Sequence, residues 1–397
     1  METLYAGLDV SKDDFKASVI DFRNNPVSPV GAYTHDRESL DAFLRDIQAL
    51  RGELGCDVIF GMEATGIYHL PLYHYLLDAG CTVRVFNGLE VKRYKRRIRK
   101  TKTDNLDSLA IAEALLFSGE LPPHGVTGPE TGCLRELCRF RDRLMKKASK
   151  CKNEAIRDMD LLCRGYSDAF EDIFSPSSIA VMKAVVRKTR LFEIDKESLT
   201  KLLRVYMPQP LAEKKAHRLI RLFESAVVPS YVRDAVIFEL HMLVQQHEQL
   251  RHQLKRVERE IESSVRKAGT HLLSIPGIGK LTAGVILGEW GDISRFKNLK
   301  QLTAYAGLDP SVAQSGRSKR TGRISKRGSP LLRAALYRAS LSAIRFNPAC
   351  RQLYTRLKAR GKHHKVCLVA VANKLLHIAY SVEINQRDFY VPAYVTD

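Results

Sequence analysis

Four carboxylates at three separated points of the chain carry the chemistry that is easiest to name: Asp9 in YAGLDVSK, Glu63 in GMEATGIYH, and Asp104 with Asp107 in KTDNLDSLA. Asp9 falls near the end of a strand-like run and Glu63 directly after the apolar run CDVIF, so neighbouring strands would bring both to one rim of a sheet. Asp104 and Asp107 stand three residues apart at the head of a helical pattern, which puts them on one helix face. Acidic side chains gathered in one pocket repel one another unless a cation neutralises them, and hard oxygen donors suit Mg²⁺. Two such ions about 4 Å apart would activate an attacking oxygen and stabilise a leaving one, the chemistry of phosphodiester cleavage. Each residue also has a plain structural alternative: Asp9 as a turn residue before SKDD, Asp104 as a helix cap, Glu63 as a solvated strand end.

The rest of the chain is strongly basic. With 64 Lys and Arg against 44 Asp and Glu, the formal net charge is +20. Such an excess favours a polyanionic partner, because each neutralised phosphate releases counterions; ribosomal or membrane-surface binding would satisfy charge alone. The run VKRYKRRIRKTK concentrates eight cations, Lys92, Arg93, Lys95, Arg96, Arg97, Arg99, Lys100 and Lys102, immediately before Asp104. It reads either as a solvated face or, beside a metal site, as a phosphate contact. PGIGK, with Gly277, Gly279 and Lys280, lies between helical patterns and suits a helix-hairpin-helix that grips backbone phosphate, or else a tight turn. Ser311 to Arg333 holds seven basic residues, five serines and no acid; Arg317, Lys319, Arg320, Arg323, Lys326 and Arg327 would make it a loop that clamps a phosphodiester. A serine there could attack phosphorus, although most serines in such loops only hydrogen-bond phosphate.

The elements that must position these groups follow from hydrophobic periodicity. LYAGLDVS, FKASVIDF, CDVIFGME and CTVRVFNG read as strands, and RESLDAFLRDIQAL, YHLPLYHYLLDAG and NLDSLAIAEALL as helices, giving an α/β N-terminal domain with a mixed sheet over residues 1–125. SGELPPHGVTGPETG marks a linker. Residues 126–270 read as helical, with a basic helix from Leu134 to Leu162 and a coiled-coil seam through Leu240, Leu243, His247, Leu250, Leu254, Val257, Ile261 and Val265, within or between chains. In that seam His247 reads as a register-setting polar residue. Residues 271–397 form a helical C-terminal domain. The eight cysteines lack zinc-type spacing, no apolar stretch is long enough to span a membrane, and METLYAGLDVSK is no secretory leader, so a cytoplasmic bacterial protein is expected, meeting the nucleoid when it acts.

GLDVSK, MEATGIYH and KTDNLDSLAIA, in that order, resemble the DEDD transposases of bacterial insertion sequences, the IS110 family, whose N-terminal domain is similar to the RuvC resolvase fold of the ribonuclease H class. The run from IPGIGK to SPLLRAAL resembles the C-terminal transposase domain of the same family. The resemblance implies that Asp9, Glu63, Asp104 and Asp107 bind two Mg²⁺ ions and that Ser315, in Gln314-Ser315-Gly316, is the nucleophile. It further implies that metals and serine act together through a 5′-phosphoserine link, and that a structured guide RNA pairs with target and donor DNA. A homo-oligomer is expected, a dimer or a dimer of dimers, and since strand exchange needs four cuts a dimer of dimers would supply the four serines. The middle region is longer than in compact members. Two alternatives stay open: a RuvC-like endonuclease that uses water, and a non-enzymatic nucleic-acid-binding protein.

Overall fold

The computed structural model describes residues 3–64, 66–86, 91, 104–117, 129–186, 192–228, 230–315 and 318–390, with backbone alone at 28–30, 104–106, 129, 311–315 and 318–323. The basic run from Lys92 to Lys102 and most of the expected linker lie outside the described residues. The chain forms two compact units, residues 1–128 with 291–302, and residues 129–290 with 303–397.

The first unit carries strands β1 (Thr3–Val10), β2 (Asp14–Ile20) and β3 (Pro26–Thr34), helix α1 (Arg37–Leu54), β4 (Asp57–Glu63), α2 (His69–Asp78), β5 (Thr82–Phe86) and α3 (Asp104–Phe117). The sheet order is β3-β2-β1-β4-β5. β2 and β3 are antiparallel neighbours and β1, β4 and β5 are parallel, so the expected mixed sheet is present. Alternation along β1 and β2 sends Leu4, Leu8, Phe15 and Val19 into one core with Phe43 and Ile47 of α1 and Leu72 and Leu76 of α2. α1 begins where the Asp36 carboxylate accepts the Ser39 amide and ends at Gly55, whose φ of 63° suits a residue without Cβ. Strand β3 is absent from the periodicity reading. Pro26, Pro29 and Gly31 disguise it, and they are tolerated because β3 is an edge strand with register shifts against β2.

The second unit is mostly helical: α4 (Pro129–Leu162), α5 (Pro176–Val185), α6 (Lys196–Arg204), α7 (Gln209–Glu224), α8 (Arg233–Lys267) and α9 (Lys280–Trp290), then α10 (Leu299–Ala306), which enters it from the first unit. Strands β6 (Pro310–Ser315) and β7 (Ser318–Ile324) and helices α11 (Pro330–Phe346), α12 (Pro348–Ala359) and α13 (His364–Ile384) complete it. The coiled-coil expectation resolves into an antiparallel pair within the chain. Arg141 meets Glu258 at 2.7 Å and Arg157 meets Glu239 at 2.7 Å, so the start of α4 lies beside the end of α8. Leu240, Leu243, Leu250, Val257, Ile261 and Val265 are buried, and His247 stacks on Phe174 with ring centroids 3.8 Å apart.

The expected division near residue 270 falls between α8 and α9, and α9 packs on both α4 and α8, so the helical pair and the C-terminal helices share one compact unit. One expectation needs correction. The Ser311–Arg333 loop is instead a two-stranded hairpin: its polar, basic alternation lacks the apolar stripe by which strands are usually recognised. α13 is long and apolar enough to cross a membrane by length and composition, yet it is a core helix here, with Leu368, Val371, Leu375 and Leu376 buried.

Candidate functional site

Pairing in the sheet fixes where the carboxylates stand. Gly7 of β1 registers with Gly61 of β4, and both face α3: a Cβ on Gly7 would lie 2.0 Å from the Ser108 carbonyl oxygen, and one on Gly61 would lie 2.7 Å from the Leu115 side chain. The two glycines are thus what lets α3 rest directly on the sheet. Two residues further along each strand the pleat returns to the same face. Asp9 and Glu63 are therefore neighbours on the α3 face, at the carboxyl ends of two parallel strands about 4.8 Å apart. Both are half-buried.

α3 is anchored one row below them by Ser108, which is buried and lies 2.7 Å from the Ser18 hydroxyl of β2. Asp107, the residue before it, is half-buried in the first turn of α3, where a negative charge suits the positive end of the helix dipole. Asp104 is the first residue of α3, and its side chain lies outside the described residues. Among the described residues no three His, Cys, Asp or Glu side chains form a group that could hold a metal ion. The donors that are described, hard carboxylate oxygens on one sheet face beside a helix start, are of the type that suits Mg²⁺.

The cross-strand row adds a residue that sequence reading missed. Lys16 of β2 registers opposite Asp9, which places its ammonium stem on the carboxylate face. The signal was present in FKASVIDF, where Lys16 stands between buried Phe15 and buried Ala17.

In the second unit, Ser315 and Ser318 form the last registered pair of the β6–β7 hairpin, so Ser315 stands at its tip. Arg317 lies outside the described residues; Lys319, Arg320 and Arg323 lie along β7, and Lys326 and Arg327 are exposed just beyond it. The hairpin base is clasped to the end of α10. The Lys326 amide donates to the Gly307 carbonyl at 3.2 Å, the Ser325 amide to that of Asp309 at 2.8 Å, and the Ser329 amide to that of Tyr305 at 2.7 Å. A Cβ on Gly328 would fall 1.8 Å from the Tyr305 oxygen, so the AYAGLDP and SKRGSP segments interlock only because of glycine. Two of the five serines are occupied in this clasp: Ser325 donates to the Asp309 carboxylate, and Ser329 caps α11 by accepting the Leu332 amide.

Glu289, which the sequence did not single out, is 1% exposed and holds this region to α4. It accepts from Arg139 at 3.0 Å, while the Tyr305 hydroxyl donates to its backbone oxygen at 2.8 Å. The PGIGK segment is a glycine turn between a short helical element and α9. The element before it is a single 3-10 turn, His271–Ser274, and Gly277, with φ of 104°, abuts Ala343 of α11, where a Cβ would fall 2.8 Å away. Lys280 pairs with Glu262 at 3.2 Å; Gly279 faces open space.

Comparison with known proteins agrees with both halves. A transposase family model of the DEDD IS110 type matches residues 6–163, and the model described as Transposase IS116/IS110/IS902 family matches residues 269–355. An insertion element IS110 protein of Streptomyces coelicolor is 27% identical over 98% of this chain and 95% of its own length. The transposase for insertion sequence element IS1111A of Coxiella burnetii is 26% identical over 96% and 90%. The pilin gene-inverting protein of Moraxella bovis is 38% identical over 30% of this chain and 37% of its own. With both models matched in order and relatives aligned over nearly their full length, the chain belongs to the IS110 family of transposases, enzymes that cleave and rejoin DNA.

Proposed function

We propose that this transposase cuts DNA with Ser315 and uses the Asp9, Glu63, Asp104 and Asp107 carboxylates as a Mg²⁺ site for the same reaction. The observation that supports the choice of serine is the hairpin: Ser315 and Ser318 are at its tip in a segment without acidic residues, Ser325 and Ser329 are engaged at its base, and of the tip pair Ser315 is the one in the Ser-Gly motif of the family resemblance. The Ser315 oxygen bonds to the scissile phosphorus, the bond from phosphorus to the 3′-oxygen breaks, the hydroxyl proton passes to a base, and the 5′-phosphate remains on the serine. The ester keeps the bond energy for rejoining, which suits an activity such as the gene inversion named for the Moraxella relative. When bound, two Mg²⁺ ions would neutralise charge building on the phosphate. Asp9 and Glu63 orient that site from the rigid strand ends, and Asp107 closes it from the helix.

A structured guide RNA selects target and donor DNA by base pairing, which suits a chain rich in backbone-binding cations. Action on four strands calls for a homo-oligomer, a dimer or a dimer of dimers, in the bacterial cytoplasm. The test incubates the protein with nicked donor DNA and Mg²⁺ and resolves products on denaturing gels. Wild type forms a protein–DNA adduct that maps to Ser315 by mass spectrometry, and Ser315→Ala forms none while calorimetric Mg²⁺ binding is unchanged. An adduct surviving in Ser315→Ala, or strand cleavage without any adduct, would sink the serine mechanism. RNA sequencing of the co-purified nucleic acid tests the guide.

A further inference from the structure

Between Asp309 and Glu383 the chain contains 16 Lys and Arg and no acidic residue. The hairpin region uses six of these cations. Others gather around the turn from α12 to α13, where Arg356, Lys358, Arg360, Lys362 and Lys365 are exposed and make no ion pair among the described residues. Unneutralised charge of one sign on a fixed surface attracts phosphate over roughly a Debye length, about 8 Å at physiological salt.

This surface borders a built cavity. α12, α13 and the segment that follows α13 enclose about 620 Å³. Arg356 of α12, Lys374 of α13 and Arg387 supply three cations to its lining, and Leu353, Ile378 and Val382 supply an apolar wall. Its one lining carboxylate, Asp388, is engaged by His271 at 2.8 Å. The Phe389 amide donates to the Ser274 hydroxyl at 2.8 Å, so the chain is pinned just before Tyr390, which lines the cavity and is 77% exposed. Gln352, also in the lining, makes no hydrogen bond among the described residues, leaving an amide that can meet the edge of a base.

Cations, an apolar wall, a held but exposed aromatic ring and a spare amide are together the complement of a nucleotide. The volume lies within the range of small-ligand sites. A paired base keeps its faces inside the duplex, so the π-face that Tyr390 would stack on belongs to an unpaired one. Resting on the proposed function, we propose that this cavity binds one unpaired nucleotide of the DNA or RNA handled by the enzyme, with its phosphate between Arg356, Lys374 and Arg387 and its base on Tyr390.

The full-length protein is titrated, in EDTA so that no strand is cut, against fluorescein-labelled 12-mers as single-stranded DNA, single-stranded RNA and duplex DNA. Tyr390→Ala is expected to weaken binding of at least one single strand about 10-fold, since stacking contributes about 1–3 kcal/mol per base, with the duplex unaffected. The strand that responds identifies the source. Tyr390→Phe retains the ring and the affinity. Arg356→Glu weakens the same strand, and a 5-iodouridine oligonucleotide crosslinks to Tyr390 in wild type. A silent Tyr390→Ala, with Arg356→Glu weakening duplex and single strands alike, would reduce the cavity to a plain electrostatic surface and overturn the proposal; so would crosslinks that map away from residues 387–390. Thermal melts exclude misfolding as the cause of a loss. Because the Ser315 adduct is scored separately, an adduct with a silent Tyr390 rejects the cavity alone, whereas no adduct rejects the serine reading.

Discussion

Asp9 is the residue on which the carboxylate reading turns, because it is flanked in one cross-strand row by Lys16 on β2 and Glu63 on β4. Asp9→Asn keeps the shape and removes a charge. DNA cleavage should fall more than about 100-fold, since charge stabilisation at the phosphate is worth several kcal/mol, while the melting temperature holds or rises as repulsion with Glu63 is relieved. Cleavage within about 10-fold of wild type would remove Asp9 from the site. His247 makes a different prediction. Burial is the main cause holding its imidazole below the ordinary value of 6.5, and Arg251 and Lys152 act in the same direction against Asp172 and Glu248. A histidine with a depressed folded pKa takes up a proton more readily when unfolded, so its penalty appears as pH falls through 6.5 toward the folded value. Denaturant midpoints should therefore drop between about pH 7.5 and 5.5, and less steeply in His247→Gln; equal slopes would show that His247 does not report on folding. His377, also lowered by burial, contributes slope of the same sign.

At the scale of elements, the contact of α3 with the sheet is the structural condition for the proposed metal site. Gly7→Ala forces a methyl into the Ser108 carbonyl, and overpacking of this kind costs about 1–3 kcal/mol. The helix must lift, so Asp107 leaves its place: the expected result is lost Mg²⁺ binding by calorimetry in a protein that still melts cooperatively. Unaltered Mg²⁺ affinity would show that the helix seat does not set the ligands. The α4–α8 pair has its own test. Leu250 is buried between the two helices, so Leu250→Asp should destabilise the second unit itself by about 2–5 kcal/mol, seen as a lower denaturant midpoint. A change confined to oligomer size, with no loss of helix stability, would assign Leu250 to packing between chains.

For the molecule as a whole, net charge governs binding strength and its salt response. Reversing Arg96, Arg97 and Arg99 should weaken nucleic-acid binding and flatten the slope of log affinity against log salt by roughly 0.7–0.9 for each phosphate that is no longer neutralised. An unchanged slope would make the run a solvated face. The two units differ in how they meet this charge. The first concentrates carboxylates at a sheet rim, and the second carries the acid-free span from Pro310 to Val382.

The sequence by itself determined the carboxylate types and order, the mixed sheet with its β1 and β4 strands, the long amphipathic helices and the family. These are local or periodic signals, and each is written in a contiguous run such as YAGLDVSK or NLDSLAIAEALL. It did not determine β3, whose prolines are allowed only by its edge position, or the serine hairpin, whose strands lack an apolar stripe. Nor did it determine Lys16 opposite Asp9, or Glu289 beneath Tyr305, which depend on register and on helix packing across 150 residues from Arg139 to Glu289. Only the tertiary structure decided that Gly277 serves the approach of α11 and that Ser325 and Ser329 hold the hairpin base. A glycine or serine has the same letter in a phosphate loop and in a packed turn, and what distinguishes the two is the atom that lies within a few ångströms of it.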